Sequence, residues 1–412
     1  MTAANNISLP AFAVFGGMLA AAGIPIYIFA PTFYAENYGL GLTSIAAVLF
    51  WLRLVDAVQD PLLGWASENI GRERSFWVAF AVIILVGSMV LLFAVPPQTS
   101  PLFWFAISMT GLFSAFSFLT INFYAQGIST ASKLPGGHMQ LAAWRETGAL
   151  IGICLASVAP GLFILWGMKP MLMFTLTFGC IGLISLWMMK SQWVVPTKRK
   201  PSNFLLVWQD RNTRQLLILA FINALPVAVT SSLFLFFVGH QLQAPAWAGG
   251  LLMLFFLSAA AAAPIWTIAS RRYGTRRCLL IAMSLAMMIF ALSGTLKSGD
   301  IWIFALVCIV SGASISADLT LMPAAFAQRL AVIAPNGGQG FGLWSLMNKL
   351  TLALAAIVLF PLLELAGFDA TVAQQTNSAL TMLTVLYAIC PLFLKLIAIL
   401  ILIKTPLQDD RL

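Results

Sequence analysis

Residues 190–214 read KSQWVVPTKRKPSNFLLVWQDRNTR, and they decide how the rest of the chain is parsed. They form the longest polar interruption in 412 residues that are 61% hydrophobic and only 8% charged. On both sides, apolar runs of roughly 20 residues recur, the length a helix needs to cross the hydrocarbon of a bilayer. Six lie before the interruption, near 9–31, 42–66, 76–95, 101–127, 140–165 and 170–190. Six follow it, near 213–238, 246–270, 278–297, 301–326, 341–366 and 378–404. The spacing predicts an all-α membrane protein with an N-terminal six-helix bundle at 1–190, a cytoplasmic linker at 191–212 and a C-terminal six-helix bundle at 213–412. A repeat supports the halves. GWASENIGRERS (64–75) and TIASRRYGTRRC (267–278) each follow the second span of their set, with Gly71 matching Gly274 and Arg74 matching Arg277.

The formal charge of +9 does not point to nucleic acid, because the basic residues sit in short loops and form no stripe with interleaved aromatics. Loops 67–75, 128–139, 191–212, 271–277 and 327–340 hold most of them, which by the positive-inside rule places both termini in the cytoplasm. No Lys or Arg precedes Arg53, so the first apolar segment lacks the basic start of a cleaved signal and is read as a membrane span. A bacterial cytoplasmic (inner) membrane is the expected location. The five cysteines are odd in number and scattered without CxxC spacing, against a disulfide framework or a metal site. Only His138 and His240 are available, too far apart for HExxH, and no GxSxG occurs, so an enzyme is not expected. PNGGQG (335–340) lacks the GK[ST] of a phosphate cradle.

Against this background LRLVDAVQDPLLG (52–64) stands out. Arg53, Asp56 and Asp60 recur at i, i+3 and i+7 and share one helix face. Counted from Ser67 at 1.5 Å per residue, Asp60 lies about 10 Å deep and Asp56 about 16 Å, near the middle of the core. A charge there costs roughly 2.5–3.5 kcal/mol, which is why intramembrane ionisable groups are read as functional by default. Pro61 cannot donate to the carbonyl of Ala57 and leaves a free oxygen near the acids. Two carboxylates, that carbonyl and the Gln59 amide amount to hard oxygen ligands for Na⁺, or a protonatable pair. A plain Arg53–Asp56 pair is the alternative, and it leaves the second acid unexplained.

The run from Arg53 to Gly64, the GxxxENxGRER segment at 64–74 and GFGLWSLMNKL at 340–350 resemble the glycoside-pentoside-hexuronide:cation symporters, the melibiose-carrier branch of the major facilitator superfamily. The likeness spans essentially the whole chain. It implies two six-helix bundles, alternating access, and cation (Na⁺ or H⁺)-coupled symport of a small organic solute such as a sugar or glycoside. Resemblance assigns Asp56 and Asp60 to the cation site, with Gln59 where the family often has Asn and Ser117 where it has a completing hydroxyl. It also places Arg145 near the substrate and the helix-two acids; Lys349 matches a family lysine in span eleven and, about eight residues into that span, is too deep to snorkel easily, so it reads as a charge partner for the acids. No cofactor beyond the coupling ion is implied, and the expected partners are a small-molecule substrate and the lipid bilayer, with a monomeric chain.

There are departures. Melibiose-type carriers grip sugar hydroxyls with acids in spans one and four, where this chain has Ala20 and Thr120. Asn122, Tyr124, Trp144, Trp344 and Asn348 remain as candidate substrate contacts. The alternative function is an H⁺-coupled exporter, or a carrier of lysolipids or other amphiphiles on the same fold. Adjacent Arg145 and Glu146 point about 100° apart and are not expected to face one partner. Asp318 is read either as a gating or substrate residue or as bonded to the Ser-rich helix around it, and Lys395 as reaching the cytoplasmic interface along its stem.

Overall fold

The computed structural model describes residues 7–24, 29–69, 73–193, 204–368, 374–405 and 407. Among them the regular elements are helices throughout. They are α1 (Leu9–Ile24), α2 (Ala30–Tyr38), α3 (Leu42–Asn69), α4 (Arg74–Phe93), α5 (Pro101–Ala131), α6 (Gly137–Leu165), α7 (Pro170–Met189) and α8 (Phe204–Gln209). There follow α9 (Arg211–Phe236), α10 (Ala248–Tyr273), α11 (Thr275–Ala291), α12 (Ile301–Ile333), α13 (Gly338–Leu365), α14 (Asn377–Thr384) and α15 (Cys390–Lys404). Ten described spans are long and apolar enough to cross a membrane, four in the first half and six in the second, counting α14 and α15 with the turn between them as one. The apolar but shorter α1 and the charged α3 complete twelve membrane helices in two six-helix bundles. Of the first expected span, residues 25–28 lie outside the described residues, as do Gly71 and, in the linker, 194–203. The rest of the linker is not wholly irregular, since α8 occupies part of it.

Helix starts follow local chemistry. Ser100 and Asp210 accept from the backbone N–H groups of Phe103 and Thr213, and Pro101 and Pro170 occupy first-turn positions where a missing N–H costs nothing. The chain divides into two compact units, one drawn from residues 1–209 and 327–346, the other from 210–326 and 347–412. The adjoining ends of α12 and α13 thus belong to the first unit.

In the first unit α1 lies directly on α6, because glycines leave no side chain between the backbones. A Cβ at Gly16 would sit 2.8 Å from the Arg145 carbonyl, and one at Gly17 would sit 2.9 Å from that of Gly148. In lipid, where side-chain burial brings little gain, such close approach of small residues is what packs helices. Phe12, Phe15, Met18, Phe105 and Phe123 fill the interior beneath, with Phe15 and Phe123 rings 4.9 Å apart. In the second unit two π turns, Phe237–Gln241 and Val385–Ile389, interrupt the helices. They meet where Phe237 stacks on Tyr387 at 4.1 Å. Large apolar side chains such as Trp187 and Leu165 lie exposed on the outside, as a lipid-facing surface requires.

Candidate functional site

The charged face of α3 is turned inward. Asp56 is buried, and its Oδ1 accepts a hydrogen bond from Ser117 Oγ on α5 (2.6 Å) and another from Gln59 Nε2 (2.9 Å). The Gln59 carbonyl in turn accepts from Ser114 Oγ at 3.0 Å. Gln59 therefore presents its N–H to the acid, with its oxygen already engaged, a detail the bare residue type did not reveal. One turn on, Asp60 is 0% exposed. Arg53 is half-buried one turn earlier on the same helix. The Asp56 carboxylate and the hydroxyls of Ser114 and Ser117 thus concentrate oxygen atoms between α3 and α5, with the buried Asp60 one turn along α3, a donor chemistry that hard cations take.

The start of α13 crosses α3 at this point. A Cβ on Gly64 would meet the Gly338 carbonyl at 2.5 Å, and one on Gly342 would meet the Asp60 carbonyl at 2.8 Å. Just beyond the membrane span, Glu68 accepts from the Gln339 backbone N–H (2.9 Å) and side-chain amide (3.2 Å). It thereby caps the first turn of α13, whose N–H groups have no helical partner. Burial pushes the Glu68 carboxyl up, while the Gln339 hydrogen bonds and the charge of Arg74 hold it down. Arg74 donates to the Ser67 carbonyl at the end of α3 and to Gln126. In the second half Arg276, rather than the matched Arg277, makes the comparable bond, to the Thr405 carbonyl.

A second cluster joins α5 and α6. Arg145 Nε and Glu146 Oε1 are 2.9 Å apart, Tyr124 OH donates to the same carboxylate oxygen at 2.9 Å, and the guanidinium lies 3.6 Å from the Tyr124 ring centre. This corrects the expectation that Arg145 and Glu146 share no partner. Backbone direction separates them by about 100°, but the arginine stem spans that arc, and the flat guanidinium stacks on the ring while its edge reaches the carboxylate. Phe341 packs beside the cluster, 5.1 Å from the Tyr124 ring.

The remaining expected residues are distributed differently. Asn122 is fully buried with both ends of its amide occupied, accepting from Ser67 Oγ and donating to the Phe118 carbonyl. Trp144 is 42% exposed. Trp344 is half-buried in the first unit; Asn348 and Lys349 are half-buried in the second. Thr120, one turn from both Ser117 and Tyr124, has a buried hydroxyl with no hydrogen-bond partner. Lys395 does not reach the interface. It is buried against Asp318 (2.6 Å) and Asn223 (2.7 Å), while Ser314 and Ser316 bond to carbonyls of their own helix rather than to Asp318. With an acid and an amide within reach, the ammonium is better satisfied inside than along a nine-residue climb to the end of α15.

Twelve membrane helices in two bundles, with carboxylates buried on α3 in the first, mark an integral membrane transporter of the major facilitator class. The sequence pattern of the MFS/sugar transport protein family matches residues 10–409, and the chain belongs to that family, whose members carry solutes rather than catalyse reactions. A protein of Salmonella typhimurium strain LT2 named "Putative sulfoquinovose importer" is 27% identical over 190 residues, 41% of this chain. The aligned part spans 39% of that relative's own length. Among solved structures, a bacterial homologue of the iron transporter ferroportin in its outward-facing state superposes with a TM-score of 0.68 at 14% identity, over 97% of this chain and 99% of that one. The same protein soaked with iron gives 0.68 at 13% identity, over the same shares of the two chains. At such identity the likeness establishes the fold alone.

Proposed function

We propose that this transporter couples entry of Na⁺ or H⁺ to uptake of a small polar organic solute, a sugar or glycoside, by alternating access. The reading rests on one observation above others: Asp56 is buried in a membrane helix with Ser117 and Gln59 on one oxygen and the fully buried Asp60 one turn away. Two buried acids side by side favour a state in which a cation or a proton offsets their charge. Loading would remove the repulsion that disfavours one conformation, and substrate would then be carried across by the population shift. Arg53 serves as the basic counterpart of the acids on their own helix. Tyr124, Arg145 and the unsatisfied Thr120 hydroxyl offer an aromatic face, a cation and a hydroxyl to the solute, with Trp144 and Trp344 as further contacts. The family match and the relative's name, which specifies a sulfonated sugar, support a carbohydrate cargo, and Arg145 would suit an anionic one. The membrane would be the bacterial cytoplasmic one, with both termini inside, as the basic loops suggest.

Ala20 and Thr120 supply no carboxylate to sugar hydroxyls, which favours as second reading an H⁺-coupled exporter or a carrier of amphiphiles such as lysolipids. Thermal stabilisation of the purified protein by sulfoquinovose, by a neutral galactoside and by a lysolipid, each with and without Na⁺, separates the readings. Na⁺-enhanced stabilisation by a sugar supports uptake of carbohydrate; stabilisation by the lysolipid alone rejects it.

A further inference from the structure

Ionisable groups are also buried in the second unit, away from α3. Lys395 of α15 is 7% exposed, and its Nζ donates to Asp318 Oδ2 of α12 and to Asn223 Oδ1 of α9. Asp318 is 8% exposed, and its other oxygen, Oδ1, is shielded from solvent and accepts no hydrogen bond. The Asn223 amide turns to Met322 Sδ at 3.3 Å, a weak acceptor. Lys395 also lines a cavity of about 100 Å³, walled by Pro226, Thr230, Phe255, Phe290, Ser311 and Ile315 among others. That is room for a few water molecules beside the ammonium; the lining is mainly apolar, and the Thr230 and Ser311 hydroxyls, which donate to carbonyls of their own helices, can accept there. Ser311, Ile315 and Asp318 follow one another at i, i+4 and i+7, so the carboxyl stands one turn along the same face.

The helices that carry and flank the pair hold few other ionisable groups, and the π turns packed against α9 and α15 add His240 and Tyr387. Residues 215–236 of α9, 248–270 of α10 and 279–291 of α11 contain no Asp, Glu, Lys, Arg or His. Between 301 and 327 α12 adds only Cys308, and α15 adds Cys390 and the terminal Lys404. Within the same unit α13 carries Lys349 and Glu364. Most buried carboxylate oxygens are hydrogen-bonded, so an unsatisfied Oδ1 near a cavity points to a role beyond joining helices.

We infer that Asp318 and Lys395 form a proton-binding site within the second unit, additional to the carboxylates of α3; the inference extends the ion-coupled reading above to a second group. A proton delivered through the cavity adds to Asp318 Oδ1 and converts the carboxylate to a neutral acid. No bond between heavy atoms forms or breaks, and the net charge of the pair rises from zero to +1. Lys395 keeps Asn223 and directs its other N–H groups to cavity water. Loss of the proton restores the ion pair.

Infrared difference spectra of the purified protein, recorded between neutral and acidic buffer, test this through the carbonyl stretch of a protonated carboxylic acid. The site predicts a pH-induced band that is present in wild type, kept in Asp56→Asn and lost in Asp318→Asn. If Asp318→Asn does not fold, Asp318→Asn combined with Lys395→Gln removes both charges together and should lose the same band. A band that persists undiminished in either Asp318 variant overturns the proposal. Adding Na⁺ at fixed pH reads the α3 carboxylates separately. A wild-type protein without any Na⁺-induced change, yet with the Asp318 band, would sink Na⁺ coupling at α3 and leave this site standing.

Discussion

At the scale of single residues, Asp56 carries the most weight. Its short bond from Ser117 has the length of a hydroxyl bound to a charged acceptor, and such bonds are worth roughly 1.5–3 kcal/mol. Loss of the hydroxyl oxygen in Ser117→Ala should therefore raise the Na⁺ concentration giving half-maximal transport by about tenfold or more; an unchanged value would detach Ser117 from the site. At Thr120 the test is constructive. Thr120→Asp supplies the acid that related sugar carriers use, beside an already aromatic and cationic cluster. If the cargo is polyhydroxylated, the variant should bind galactosides measurably more tightly than wild type in equilibrium dialysis. If the cargo is apolar, a buried unpaired charge should abolish native transport and confer no sugar binding.

Among elements, the junction of α3 with α13 holds Asp60 in place. Gly64 and Gly342 are tolerable there only because they lack a Cβ, so Gly64→Ala should cost about 1–3 kcal/mol through overpacking, seen as a lower melting temperature, and should disturb ion dependence as well. The Glu68 cap on Gln339 makes the junction pH-sensitive. The ionised carboxylate is the better acceptor, and burial has raised its proton affinity. Protection of the Gln339 amide should therefore be present at neutral pH and fall on acidification through a range above that of an ordinary glutamate. Hydrogen exchange corrected for the intrinsic rate would show it, and constant protection would contradict it. How much of this was readable beforehand depends on the range of each interaction. The spans and the α3 face were legible because helix length and the i, i+3, i+7 spacing are properties of a single segment. The pairing of Lys395 with Asp318 was not, since it joins helices far apart in sequence and a lone lysine in a span reads as one that climbs to the interface. Arg145 and Glu146 misled for another reason: Cα–Cβ direction says nothing of where a long guanidinium ends. The short α8 was hidden within a stretch whose charges read as linker.

For the whole molecule, the two units carry different chemistry. The first unit holds acids with hydroxyl and amide partners, and the second holds a lysine–aspartate pair beside a small cavity. The proposed coupling centres on the first unit, where the two acids share one face of α3 with the half-buried Arg53. The most direct test is accumulation in proteoliposomes. An inward Na⁺ or H⁺ gradient is imposed on wild type and on Asp56→Asn, and uptake is followed for whichever of sulfoquinovose, galactoside or lysolipid most stabilises the protein. Coupling at Asp56 predicts that wild type concentrates the solute above its external level, whereas Asp56→Asn, though inserted and folded, only lets it equilibrate. Accumulation by Asp56→Asn equal to that of wild type would contradict it.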